Sequence, residues 1–286
     1  MPQVRVVTDS AGDVPADLVA GLGITVVPLS IHFGEQTYLE GEDLSAEEFY
    51  RLLATSPHFP RTSQPSVGRF EEVYTRMRDQ GVEVVSIHLA GKLSGTLNAA
   101  RLAASHVEGA QVHFVDSQGA SMIEGALVVA GAQWAAAGVA ATEIVRRVEA
   151  MRPAVYGLIM LDNLAHLQRG GRIGRAQSLL GTLLSVKPIV EVTNGEVNPV
   201  QRVRTTARAL QELVDDARSR QPLAEVRILH ANAPKLVEQL LPLLRPLAPG
   251  PEVPVQLLGP VVGVHVGAGA IGVLTVRKSA DEVAAE

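Results

Sequence analysis

Short β-branched runs alternate with helix-spaced segments through the first half of this chain, and that alternation restricts the fold more than any other feature. Val4–Val7, Ile24–Ile31, Val82–Leu89 and Gln111–Val115 read as strands. Ala46–Ala54, Gly68–Asp79, Thr96–His106 and Ser121–Ala137 carry apolar residues at helical spacing. Strands that alternate with helices predict a parallel sheet covered on both faces. Three strand ends run into Ser- or Gly-bearing turns, at Thr8-Asp9-Ser10, Ala90–Thr96 and Asp116–Gly119. Open α/β sheets bind ligands where such strand ends meet loops.

A second pattern begins near Pro153. Tyr156–Met160, Lys187–Thr193, Val197–Val203, Val226–His230, Val255–Leu258 and Ile271–Val276 read as strands. Asn163–Gln168, Gln177–Leu184, Thr206–Arg220 and Lys235–Leu244 read as helices. Asn194-Gly195 between two strand-like runs is a strong hairpin signal, and a hairpin inside an alternating pattern makes a mixed sheet. The expected fold class is α/β with two domains. Residues 1–152 form a three-layer α/β/α domain with a parallel sheet, and residues 153–286 a two-layer α/β domain with a mixed sheet. The tail after Lys278 looks dispensable.

Composition narrows the function classes. The 286 residues are 47% hydrophobic but only 3% aromatic, so the core is aliphatic and its walls suit an alkyl chain as well as ordinary packing. A formal charge of −5 without a basic run argues against nucleic-acid binding. With no cysteine there is no disulfide, thiolate metal site or Cys nucleophile, which fits a cytoplasmic location. Metal-ligand spacings such as H-E-x-x-H or an EF-hand loop are absent. Asp9 arrives too early for a signal peptide's apolar core. Gly125–Thr142 contains no charged residue, roughly the length that flags a membrane span, but it is rich in Ala and Gly. It is expected to be two buried helices parted at Gly138.

Four motifs invite a chemical reading, each beside an ordinary one. Arg61-Thr62-Ser63-Gln64-Pro65-Ser66 ends in a good helix N-cap, yet its adjacent hydroxyls also suit an anion. Leu93-Ser94-Gly95-Thr96 opens a helix, whose unpaired amides attract carboxylates and phosphates. Leu167-Gln168-Arg169-Gly170-Gly171-Arg172 reads as a helix stop whose arginines face either the helix dipole or an acidic partner. Gly267, Gly269 and Gly272 spell G-x-G-x-x-G, but a strand follows them instead of a helix, so the dinucleotide reading fails. His265, between glycines, is then expected as a polar tip on a flexible loop. An alternative makes Ser94 a nucleophile with His265 as base, for acyl ester hydrolysis, although no acid is nominated to orient the imidazole.

The order of these motifs is the more specific signal. Thr8-Asp9-Ser10, Thr62 to Ser66, Leu93 to Thr96, Val115-Asp116-Ser117, Leu167 to Ile173, Lys187-Pro188-Ile189 and His265-x-Gly267-x-Gly269 together resemble the DegV family over residues 8 to 272. The resemblance implies one long-chain fatty acid, such as palmitate, stearate or oleate, bound between two α/β domains, with no other cofactor. It also implies that the chain is no enzyme itself but presents the carboxyl group to a partner fatty-acid kinase, which makes acyl phosphate. By motif, the carboxylate-binding residues are Thr62, Ser63, Ser94, Gly95 and His265. Arg169, Arg172 and Arg202 lie in stretches that resemble the family's head-group edge or partner contact. Two positions depart from the pattern: Ala90-Gly91-Lys92 replaces the usual serines, and Ala268 replaces the proline after His265-x-Gly267.

Overall fold

Residues 3–180 and 186–279 are described by a computed structural model. By its contacts the chain divides into two units, Met1–Ser45 with His58–Arg152, and Ala46–Pro57 with Pro153–Glu286.

The first unit starts with β1 (Val4–Asp9), α1 (Ala16–Leu22), β2 (Thr25–Val27), β3 (Ser30–Phe33) and β4 (Gln36–Leu39). Helix α2 (Ala46–Thr55) belongs to the second unit; β5 (Arg61–Ser63), α3 (Val67–Asp79) and β6 (Glu83–His88) return to the first. It ends with α4 (Thr96–His106), β7 (Val112–Asp116), α5 (Met122–Ala136) and α6 (Ala141–Met151).

Four strands make the expected parallel sheet, in the order β2-β1-β6-β7. Alternation along β6 shows how it is covered. Val84 packs with Phe70, Tyr74 and Met77 of α3 and Ala99, Ala100 and Ala103 of α4. Ile87, of the opposite parity, meets Gly131 of α5, where Ile144 and Val148 of α6 also converge. Because β2 lies on one side of β1 and β6 on the other, the strand order reverses between β1 and β6. In open α/β sheets such a reversal marks the crevice, at the carboxyl ends of the strands, where ligands bind.

The expected single strand Ile24–Ile31 is two. Pro28 removes a ladder donor and fixes its own φ, so β2 stays in the parallel sheet while β3 turns away. Strand β3 is the centre of a separate antiparallel sheet, β4-β3-β5. Gly138, at φ 78°, parts α5 from α6 as the sequence suggests. Among the described residues, no helix is long and apolar enough to cross a membrane.

The second unit contains β8 (Val155–Met160), α7 (Ala165–Arg169), β9 (Lys187–Thr193), β10 (Glu196–Val203) and α8 (Thr206–Ser219). It continues with β11 (Leu223–His230), α9 (Pro234–Leu244), β12 (Val255–Leu257), α10 (Pro260–Val266) and β13 (Ile271–Arg277). The sheet order is β10-β9-β8-β13-β11-β12, mixed in direction because β11 and β12 alone pair parallel. Asn194 and Gly195, at φ 52° and 76°, make the hairpin turn between β9 and β10. Helices α8 and α9 cover one sheet face through Leu158, Met160, Ile189, Val226, Ile228 and Val273. Residues of the other parity align as Val190–Ile159–Gly272–Leu229 across four strands, giving the second face an apolar row with a glycine gap. In place of the helix expected over Gln177–Leu184 there is a short 3-10 segment, Gly174–Leu179; Leu183 and Leu184 lie outside the described residues, as does the tail from Ala280.

Candidate functional site

The loop from Ala90 to Gly95 follows β6 at the crevice. It is built from local bonds: the Leu93 and Ser94 amides both donate to the Ala90 carbonyl, and the Gly91 amide donates to Asp116. Ser94 sits just before α4, where its hydroxyl lies 2.8 Å from that of Thr96 and accepts the Thr96 amide. Gly95 is the N-cap, with no side chain of its own to serve as cap. A Cβ there would fall 2.0 Å from Gln64 Oε1, so glycine is what lets the Gln64 side chain lie against the loop. Through this contact the structure brings the Thr62-Ser63-Gln64 stretch to the Ser94-Gly95 turn.

Thr62 and Ser63 are neighbours on β5, so their side chains leave opposite faces of the small sheet. The Ser63 hydroxyl bonds His32 Nε2 at 2.9 Å, and His32 Nδ1 bonds Thr37 at 2.9 Å. Thr62 pairs across the ladder with buried Ile31. Ser66 caps α3 by accepting the Arg69 amide, the ordinary role its position suggests.

Beneath the loop lies a sealed polar chain that sequence reasoning missed. Asp9 Oδ2 bonds His88 Nδ1 at 2.9 Å, His88 Nε2 bonds Ser86 at 2.8 Å, and Ser86 bonds Tyr74 at 2.8 Å. Asp9, Ser86 and His88 have the connectivity of a Ser-His-Asp triad, but they are 1%, 0% and 0% exposed and Tyr74 occupies the serine. No substrate reaches such a serine. Burial pushes the Tyr74 phenol up despite its bond to Ser86.

In the second unit the Gly170-Gly171 turn and the His265 segment interlock. His265 is not on a loop: it lies in the last turn of α10, which Pro260 starts at a first-turn position and Gly267, at φ 74°, ends. The glycines that spell G-x-G-x-x-G thus stop a helix and lead into β13, as the rejection of the dinucleotide reading implies. A Cβ on Gly170 would fall 2.4 Å from His265 Nδ1, and one on Gly267 would fall 2.6 Å from the His166 ring. Each histidine therefore rests on a glycine of the other's segment. His166 Nδ1 bonds the Val264 carbonyl at 2.9 Å, and Arg172 donates to the Gly170 carbonyl at 2.7 Å. Burial, then the charges of Arg172 and His166, push His265 down to about 4, so its imidazole is neutral near pH 7. A hydrolytic base would instead have a carboxylate raising its basicity, which weakens the Ser94–His265 enzyme reading. Arg169 and Arg202 are exposed, and Arg202 donates to the Leu179 carbonyl. Among the described residues, no group of three or more His, Asp or Glu is placed to hold a metal ion.

Against known proteins, the model of a family described as "Uncharacterised protein, DegV family" matches residues 3–278. The chain belongs to the DegV family. A DegV domain-containing protein of Halalkalibacterium halodurans is 36% identical over 276 residues, covering 95% of this chain and 98% of the relative. The solved structure of a DegV family protein from Thermus thermophilus, described by its fatty-acid binding, superposes with a TM-score of 0.88 at 33% identity, covering 96% of this chain and 99% of that one. DegV of Bacillus subtilis, described as a fatty acid binding protein, has a TM-score of 0.87 at 32% identity, covering 97% and 100%. The α/β architecture, with its parallel and its mixed sheet, is that of these DegV structures.

Proposed function

We propose that this chain binds one long-chain fatty acid and presents its carboxylate to a partner kinase for acyl-phosphate formation. The carboxylate-binding residues are Thr62, Ser63, Ser94, Gly95 and His265, with catalysis left to the partner. The observation that carries this reading is the packing of Gln64 on Gly95. It joins two hydroxyl-bearing segments, one of them the loop that follows the carboxyl end of β6, the end at which α/β sheets hold ligands. Near-full-length likeness to DegV proteins described as fatty-acid-binding supports the ligand class.

The energetics divide the work. Burying about 14 methylenes at roughly 0.8 kcal/mol each gives about 11 kcal/mol before entropy losses. Each charge-assisted hydrogen bond to the carboxylate adds about 1.5–3 kcal/mol against its desolvation. The tail supplies affinity and the polar residues set its register. Candidate walls for the tail are the aliphatic stretch Met122–Trp134 in the first unit and, in the second, Leu158–Leu167, each considered by itself. Exposed Arg169 and Arg202, with half-buried Arg172, suit an acidic partner or the head-group edge.

Native mass spectrometry of the freshly purified protein tests the reading. A mass increment matching a fatty acid and lost on denaturation is expected. A chain that carries none, and takes up none from palmitate or oleate, would sink it.

A further inference from the structure

The sealed chain beneath the ligand loop carries a role that the carboxylate site does not explain. Asp9 ends β1 and faces two backbone amides and a ring nitrogen. Its Oδ1 accepts the Ala11 amide at 3.1 Å, in its own turn. Its Oδ2 accepts the Leu89 amide at 3.1 Å and bonds His88 Nδ1 at 2.9 Å, both at the end of β6. Leu89 is the root of the loop that carries Ser94 and Gly95. One carboxylate thus ties together the two strand ends that flank the crevice, across 80 residues of sequence.

A second carboxyl lies beside it. Glu124, in the first turn of α5, is fully buried, and its Oε1 accepts the Thr8 hydroxyl at 2.9 Å. The charged groups facing it are Asp9 and Asp13, and Asp13 itself accepts the Ser121 hydroxyl at 2.6 Å. Two buried carboxylates in one low-dielectric space cannot both be anionic at tolerable cost.

We infer that Asp9 is the positioning residue of the ligand loop, its carboxylate anchoring Leu89 while Glu124 beside it carries a proton. The donors decide which carboxyl is the anion: Asp9 meets two backbone amides, which can only donate, and a ring nitrogen that donates to it in the tautomer whose Nε2 accepts from Ser86. Glu124 meets a hydroxyl, which suits a neutral acid equally well. Burial pushes the Glu124 carboxyl well above the carboxylate range, and the charges of Asp9 and Asp13 push it further. The left-handed backbone at Asp13 and Ser121, with φ 50° and 54°, sits at the same junction. Strain held there indicates that the surrounding bonds over-determine the turn.

The link to a ligand rests on the assignment of Ser94 and Gly95 to the fatty-acid site, so the test reads the anchor without a ligand. Asp9→Asn keeps the shape but replaces the charged acceptor of the Leu89 amide by either an NH2 group or a neutral, weaker amide oxygen. Hydrogen exchange at Leu89 should then accelerate about tenfold or more, the loss of one bond to a charged acceptor. Glu124→Gln mimics the protonated acid and should leave Leu89 exchange within about twofold on the same scale. The infrared carbonyl band of a protonated carboxyl should be present in the wild type at neutral pH and absent in Glu124→Gln. Unchanged Leu89 exchange in Asp9→Asn, or a band that survives in Glu124→Gln, would overturn the proposal. Should Asp9→Asn not fold, the infrared comparison still decides which carboxyl carries the proton. A parallel palmitate titration of the wild type separates the two ideas: absence of binding refutes the fatty-acid reading, while exchange and infrared decide the anchor.

Discussion

The His265 ring occupies the space that a side chain on Gly170 would need, with its Nδ1 2.4 Å from the Cβ position. Gly170 has φ −77° and ψ −8°, which alanine adopts without strain, so Gly170→Ala isolates the steric effect. The added methyl must push the imidazole away. Fatty-acid affinity is expected to fall about tenfold, equivalent to one displaced hydrogen bond of about 1.4 kcal/mol. Gly171→Ala is the control for local damage: nothing lies within 4 Å of its Cβ position, but its φ of 70° makes alanine strained. That variant should lose about 1 kcal/mol of stability, read by chemical denaturation, with affinity retained.

The depressed pKa of His265 has a consequence for stability. In the folded chain the ring protonates only near pH 4, whereas in the unfolded chain it does so near the ordinary value of 6.5. The unfolded state therefore binds a proton that the folded state refuses throughout that window. The contribution is present above pH 6.5 and is lost as pH falls through about 4. The shift corresponds to about 3 kcal/mol at most, since the ring is not wholly sealed. Denaturant titrations between these pH values should show a steeper decline for the wild type than for His265→Gln. Parallel curves would refute the assignment.

How much of this was legible in the sequence depends on whether the signal was local. The Asn194-Gly195 turn, the Ser66 cap and the break at Gly138 were, because each rests on the backbone preference of one or two residues. Strand β5 was not: Arg61-Thr62-Ser63 is polar throughout and has no apolar alternation, so only pairing with β3 makes it a strand. His265 looked like a loop residue because glycines flank it, and the cue that weighed the other way was Pro260 at a helix start. The bonds from Asp9 to His88 and from Thr8 to Glu124 join residues 79 and 116 positions apart, and no spacing rule reaches that far. The same holds for the glycine–histidine pairs of the second unit.

Gly95→Ala probes the contact that joins the two hydroxyl segments. The obstructing atom is Gln64 Oε1, the end of an exposed, flexible side chain, and Gly95 has φ −78°. Gln64 can swing aside, so thermal stability should change by no more than a few degrees, about 1 kcal/mol for a chain of this size. Affinity for a fatty acid should nevertheless fall, because the turn is reshaped where the carboxylate is proposed to bind. A calorimetric titration of Gly95→Ala with palmitate that matches the wild type would remove Gly95 from the site.

Thr62 and Ser63 separate binding from presentation. Ser63 spends its hydroxyl on His32, while Thr62 leaves the opposite face of β5. If the tail supplies most of the affinity, Thr62→Val should weaken palmitate binding only modestly, by about the worth of one hydrogen bond, 1.5–3 kcal/mol at the upper end. Misplacing the carboxyl by about 1 Å lowers transfer by a further factor, on the order of a hundredfold, on top of that binding loss. Acyl-phosphate formation with a cognate fatty-acid kinase should therefore drop more than binding does in Thr62→Val. Ser63→Ala should act more weakly, since it first frees His32 and only secondarily disturbs the strand. Equal losses in transfer for the two variants would mean that β5 acts as a unit and that neither hydroxyl is singled out by the ligand.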